Sequence, residues 1–110
     1  MASARDDIAS DDVRGAINAL FYAAEAAVVA LADANQIETK KSHPLKADAA
    51  TELHTRGVVD EDFGPLLRML NQARKDVWYE GDEPDLDGED IDVVADHVEQ
   101  LVDAASRASP

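Results

Sequence analysis

The stretch Asp60–Tyr79, DEDFGPLLRMLNQARKDVWY, decides the fold. Asp60 or Asp62 can cap a helix there, because a short carboxylate accepts bonds from the free N–H groups of a first turn. Phe63, Leu66, Leu67, Leu70, Ala73 and Val77 recur at three- and four-residue steps and form one apolar stripe. Arg74 follows Leu70 by four and precedes Val77 by three, so it emerges on or beside that stripe. A guanidinium keeps its proton, and leaving one unpaired near a core costs on the order of several kcal/mol. Two explanations compete: a structural ion pair or stem-burying snorkel, and a functional group set in a cleft. Trp78 and Tyr79 stand directly behind it.

Upstream, VRGAINALFYAAEAAVVALADA (Val13 to about Ala34) is the strongest helical pattern in the chain. Ile17, Leu20, Phe21, Ala24, Val28 and Leu31 make its main stripe, and Ala23, Val29 and Ala30 widen it, so this helix is expected to be central. Glu25 is its sole charge between Leu20 and Ala32. It either pairs with Arg74 or points along a gap to water. Ser10, Asp11 and Asp12 supply a cap in front of this helix. Residues 1–12 read as a flexible lead, and residues 13–106 as one helical domain.

After the connection NQIETKKSHP, Pro44 fits the first turn of a short helix to about Thr55, capped by Ser42 or His43 and ended by Gly57. Leu45, Ala49, Ala50 and Leu53 are its inward candidates. Downstream of Tyr79, GDEPDLDG (Gly81–Gly88) reads as a loop. The last helix, roughly Glu89 to Ser106, carries Ile91, Val94, Ala95, Val98, Leu101, Val102 and Ala105 on one stripe. Nothing alternates with period two for long enough to be a strand. The expectation is an all-α bundle of about four helices.

The chain has 110 residues, enough for one modest core, and no cysteine, which excludes disulfides and thiolate metal sites. A reducing cytoplasm is the natural compartment. No apolar run approaches the roughly 20 residues of a membrane helix, and the acidic MASARDDIASDD lacks the apolar core of a signal peptide. The net charge is −14, spread unevenly. Residues 40–75 hold seven of the ten basic side chains, whereas from Glu80 onward eleven acids face Arg107 alone. Such a chain repels phosphate polymers at long range, so a nucleic acid must engage the central basic segment locally or arrive on a partner. The same acidity also fits a surface adapted to a salty cytoplasm.

Glu83, Asp85, Asp87 and Gly88 stand where an EF-hand loop has its first, third, fifth and sixth positions, but Pro84, Asp90 and Val94 break the pattern. A solvated acidic loop is the reading, with no metal site and no cofactor. His43, His54 and His97 share no metal-binding spacing. No nucleophile elbow and no glycine-rich phosphate loop is present, so no enzyme class is announced.

Taken together, three segments resemble the HEPN superfamily, and within it the small prokaryotic group called UPF0332. AINALFYAAEAAVVAL (Ala16–Leu31) is similar to the family helix with paired aromatics, here Phe21 and Tyr22. KKSHPLKADAATELHTRGVV carries its Lys–x–His and short helix ending in a glycine turn, here Lys41, His43 and Gly57. DEDFGPLLRMLNQARKDVWY resembles its helix closing in an arginine with a tyrosine five residues on, here Arg74 and Tyr79. The resemblance covers about residues 13–105, with the family's first helix shortened or missing.

Active HEPN ribonucleases carry an Arg–(four to six residues)–His motif twice across a dimer interface. Arg74 matches the arginine, but Tyr79, Glu80 and Gly81 occupy the histidine positions. A phenol with a pKa of about 10 and a carboxylate do not copy an imidazole that trades protons near neutrality. The resemblance therefore implies a catalytically degenerate, homodimeric module that binds RNA, a nucleotide or a partner through Arg74, Lys75, Tyr79, Lys41 and His43. A nucleotidyltransferase is the implied partner, as in toxin–antitoxin pairs, with Tyr79 as an acceptor for the group it transfers. Two alternatives stand beside it. One is an active metal-independent endoribonuclease toxin with Arg74 stabilising the phosphorane and His43 or His54 as base. The other is a structural homodimeric domain whose Arg74 pairs with Glu25 or Asp76.

Overall fold

A computed structural model describes residues 2–9, 12–39, 42–77 and 86–108. They form five helices: α1 (Ala2–Ala9), α2 (Val13–Ala34), α3 (His43–Thr55), α4 (Gly64–Lys75) and α5 (Ile91–Ala108). No strand occurs among the described residues. The other four helices all pack against α2. Asp12 caps it, its Oδ1 accepting from the Gly15 N–H at 3.0 Å. At the far end Asn35 turns the chain, its side chain donating to the Leu31 carbonyl at 2.8 Å. The expected stripe is the core: Ile17, Leu20, Phe21, Ala24, Val28 and Leu31 are buried.

One sequence expectation needs correcting here. At 22 residues with a mean hydropathy of 1.6 over its most apolar window, α2 is by length and composition long enough to cross a membrane. Of that window 56% is buried, packed against the other four helices.

Helices α3 and α4 form a tight corner. The Ser42 hydroxyl accepts from the Leu45 N–H at 3.2 Å, and Pro44 sits in the first turn, where its missing N–H is not needed. Gly57 closes α3 at φ +79°, a left-handed turn that a side chain disfavours. Buried Val59 and Phe63 then lead into α4. That helix starts later than the sequence suggests: Phe63 occupies the cap position without a side-chain bond. Asp62 still serves the turn from one residue earlier, accepting from the Gly64 N–H at 2.8 Å and from the Thr51 hydroxyl at 2.7 Å. The corner closes on Gly64 itself, where an added Cβ would lie 2.4 Å from Thr51 Oγ1 and 3.0 Å from the Ala47 carbonyl. The α4 helix runs to Lys75, and residues 76 and 77 continue in a wider turn that buries Val77.

The N-terminal lead is the second correction. Residues 2–9 form α1 rather than a flexible tail, packed on α2 and α5 with Ala4 buried. Arg5 holds it, its Nη2 donating to Asp96 at 2.8 Å and to Glu99 at 2.6 Å on α5. A first helix is thus present in a shortened, eight-residue form.

Candidate functional site

Arg74 occupies the last turn of α4, brought inward by its buried neighbours Leu70, Ala73 and Val77. Its guanidinium carbon lies 4.8 Å from the centre of the Phe21 ring on α2, within the range of a cation–π contact. One terminal nitrogen donates to Asn71 Oδ1 at 3.0 Å, and Nε is buried without a hydrogen-bond partner among the described residues. Both carboxylates proposed for it are engaged elsewhere. Asp76 accepts from Gln72 at 2.8 Å, and Glu25 faces α3. Among the described residues Arg74 has no ion pair, so the Arg74–Glu25 and Arg74–Asp76 pairings are not formed.

Glu25 is 5% exposed. A carboxylate so far out of water needs a partner that compensates its lost hydration. His43 Nδ1 lies 2.5 Å from its Oε2, and Lys46 Nζ lies 3.5 Å from its Oε1. His43 and Lys46 are three apart on α3 and therefore share a face. Because an ionised carboxylate only accepts, Nδ1 donates in this contact. The imidazole also stands edge-on to Phe21, with ring centres 5.1 Å apart. One buried aromatic ring thus carries Arg74 and His43 against it, from two different helices. The result is a cluster in which His43 and Lys46 meet the buried Glu25 while Arg74 and His43 share the Phe21 ring.

The structure joins two of the sequence candidates, Arg74 and His43, through Phe21. Lys75 is adjacent and exposed. Lys41, Tyr79 and Trp78 lie outside the described residues, as do Glu83 and Asp85 of the acidic loop. The remaining histidines are elsewhere: His54 Nδ1 contacts the Val59 carbonyl at 3.3 Å, and His97 bonds Glu61 beside Phe63. Among the described residues no three potential ligands gather to hold a metal. Sequence reasoning did not single out Lys46, Asn71 or Phe21 for the site. Only Glu25, a lone charge in an apolar helix, signalled that a partner was required.

The chain matches the HEPN domain family over residues 1–108. It belongs to the HEPN family. No curated protein and no solved structure matches it significantly. The match spans α1 as well as the four longer helices, in keeping with the packing of α1 into this HEPN bundle.

Proposed function

We propose that this HEPN protein binds a phosphate-bearing ligand, an RNA or a nucleotide, at the Arg74–Phe21–His43 cluster. The carrying observation is the state of Arg74: stacked on a buried ring, partly desolvated, and matched by no carboxylate among the described residues. A guanidinium held this way has lost part of its rotamer freedom already, so a bidentate phosphate contact costs less to form. Lys46 and Lys75 supply nearby positive charge in a chain whose net charge otherwise repels phosphate. The histidine positions of the family's ribonuclease motif hold Tyr79, Glu80 and Gly81, which supports binding without cleavage. In this reading the protein is a UPF0332-like, cytoplasmic homodimer of the toxin–antitoxin type, with a nucleotidyltransferase as its partner.

The test is fluorescence anisotropy with a labelled single-stranded RNA and with a labelled nucleotide. Arg74→Ala is expected to weaken one of them by about tenfold or more, in line with the loss of a charge-assisted bidentate contact. Unchanged affinity for both sinks the proposal.

A second reading has its own support in the Glu25–His43 contact. A buried carboxylate bonded to one ring nitrogen of a partly exposed imidazole is how a general base is oriented. RNA cut by the native protein but by neither His43→Ala nor Arg74→Ala would replace binding with cleavage, with His43 standing in for the missing motif histidine.

A further inference from the structure

Helices α4 and α5 both lie on α2, yet they do not close on each other. Between them runs a trough of about 570 Å³. Its floor is apolar, made by Leu66, Met69, Leu86, Val93 and Val94. Val93, in the first turn of α5, is 48% exposed there. The walls carry Glu61, Asp87, Glu89 and Asp96, of which Glu61 is bonded to His97 and Asp96 to Arg5. Past Glu61 and Gln100 the trough runs into a second hollow with Asp60 and Asp103. Past Pro65 and Met69 it runs into a third, with Gln72 and Asp76. Shared lining residues set the three hollows side by side on one face, here called the channel. Arg68 and Arg107 are the lysine or arginine side chains among its described lining residues, and carboxylates outnumber them. Arg68 is already paired with Asp48 at 2.9 Å.

We infer that this channel docks a basic amphipathic helix of a partner protein. Its apolar floor suits a helix whose apolar residues at i, i+3, i+4 and i+7 would meet Leu66, Met69 and Val93. Its walls suit lysine or arginine on the flanks of that helix, where charge complementarity sets orientation and association rate. A second copy of this chain is a poor occupant, because a net charge of −14 meets the same acidic walls. A nucleic acid is repelled for the same reason. The channel is also separate from the phosphate-binding proposal, since Arg74 and His43 line none of the three hollows.

The experiment uses the full chain and three labelled peptides of equal length, followed by fluorescence anisotropy. One places leucine at helical spacing with lysine elsewhere, one scrambles that composition, and one replaces lysine by glutamate. The leucine–lysine helix is expected to bind with an affinity that falls as salt rises, and the scrambled peptide about tenfold more weakly. Val93→Gln and Glu89→Lys, both at exposed positions, are each expected to weaken the first peptide about fivefold or more. Asp33→Lys, on the far end of α2, and Arg74→Ala are expected to leave it unchanged. Equal binding of the scrambled peptide reduces the effect to bulk charge and overturns the inference. So does the absence of binding, or affinity untouched by Val93→Gln and Glu89→Lys in variants with native circular dichroism.

Discussion

His43 Nδ1 and Glu25 Oε2 meet at 2.5 Å, joining α3 to a carboxylate buried in the most apolar helix of the bundle. The contact explains why an acid survives between Leu20 and Ala32. It lies where α3 packs on α2 and brings a histidine and a lysine to it. Removing one partner of a buried charged contact leaves the other uncompensated. A double-mutant cycle of Glu25→Gln with His43→Ala, measured by urea unfolding, is expected to return a coupling of about 0.5–3 kcal/mol. The parallel cycle of Glu25→Gln with Arg74→Met is expected to return a value close to zero. Coupling of the reverse order would restore Arg74 as the ion-pair partner of Glu25.

Arg74 should be dispensable for stability and necessary for binding. Its ring contact contributes roughly 0.5–2 kcal/mol. The buried Nε, without a partner among the described residues, works against it, by about 1–3 kcal/mol for an unsatisfied polar group. Arg74→Met keeps the stem and removes both effects, so the urea midpoint is expected to move little, by about 1 kcal/mol or less. Loss of RNA or nucleotide affinity in that same variant would then report the cluster and not the fold. A strongly destabilised Arg74→Met, with ligand affinity intact, would assign the arginine to structure.

Much of the bundle is legible in local pattern, because stripes and caps are written within a few residues of where they act. Asp12, Ser42 and Gly57 do what their types and positions lead one to expect, and the stripes of α2, α4 and α5 are the buried faces. What escapes is decided by packing between distant segments. The ASARDDIA stretch has little amphipathic character of its own, and α1 is held by Arg5 reaching acids more than ninety residues away. The α4 helix starts at Gly64, not at Asp60, and Asp62 is drawn to Thr51 on α3, a partner that lies eleven residues back in the chain. In the site, opposite charge suggests Arg74 for Glu25, but the crossing of α3 over α2 awards that acid to His43 instead.

Asp62 makes stability at the α3–α4 corner depend on pH. Burial of its carboxyl works to raise the pKa, but bonds from the Thr51 hydroxyl and the Gly64 N–H outweigh it and hold the group below its ordinary value of 3.8. A folded-state pKa lower than the unfolded one means that the charged form is favoured by folding. The contribution is therefore fully present above the unfolded value and is lost as the pH falls through the folded one. Asp62→Ala is expected to cost about 0.5–2 kcal/mol at pH 7, as for other carboxylates that satisfy a helix start. Measured against native protein, that difference should shrink as the pH is taken below about 4. A difference that stays constant into acid would mean that the side chain acts by packing alone.

Helix α1 is the cover for one flank of the bundle, and its removal should be felt as exposed surface more than as lost charge. Ala4 is 1% exposed, and Ile8 packs partly against the same core. The Arg5 bridges are partly solvated, with acceptor side chains 68% and 47% exposed, so Arg5→Ala is expected to cost less than about 1 kcal/mol and to matter less as salt rises. A chain beginning at Asp12 is expected to lose more, about 1–3 kcal/mol, because it uncovers the α2 and α5 surface beneath. The two losses are separated by thermal melts at low and high salt. The truncated chain should also bind a hydrophobic dye and elute earlier in size exclusion at raised concentration, as an uncovered apolar flank self-associates. If truncation leaves the melting temperature and elution unchanged, α1 rests on the bundle without protecting it.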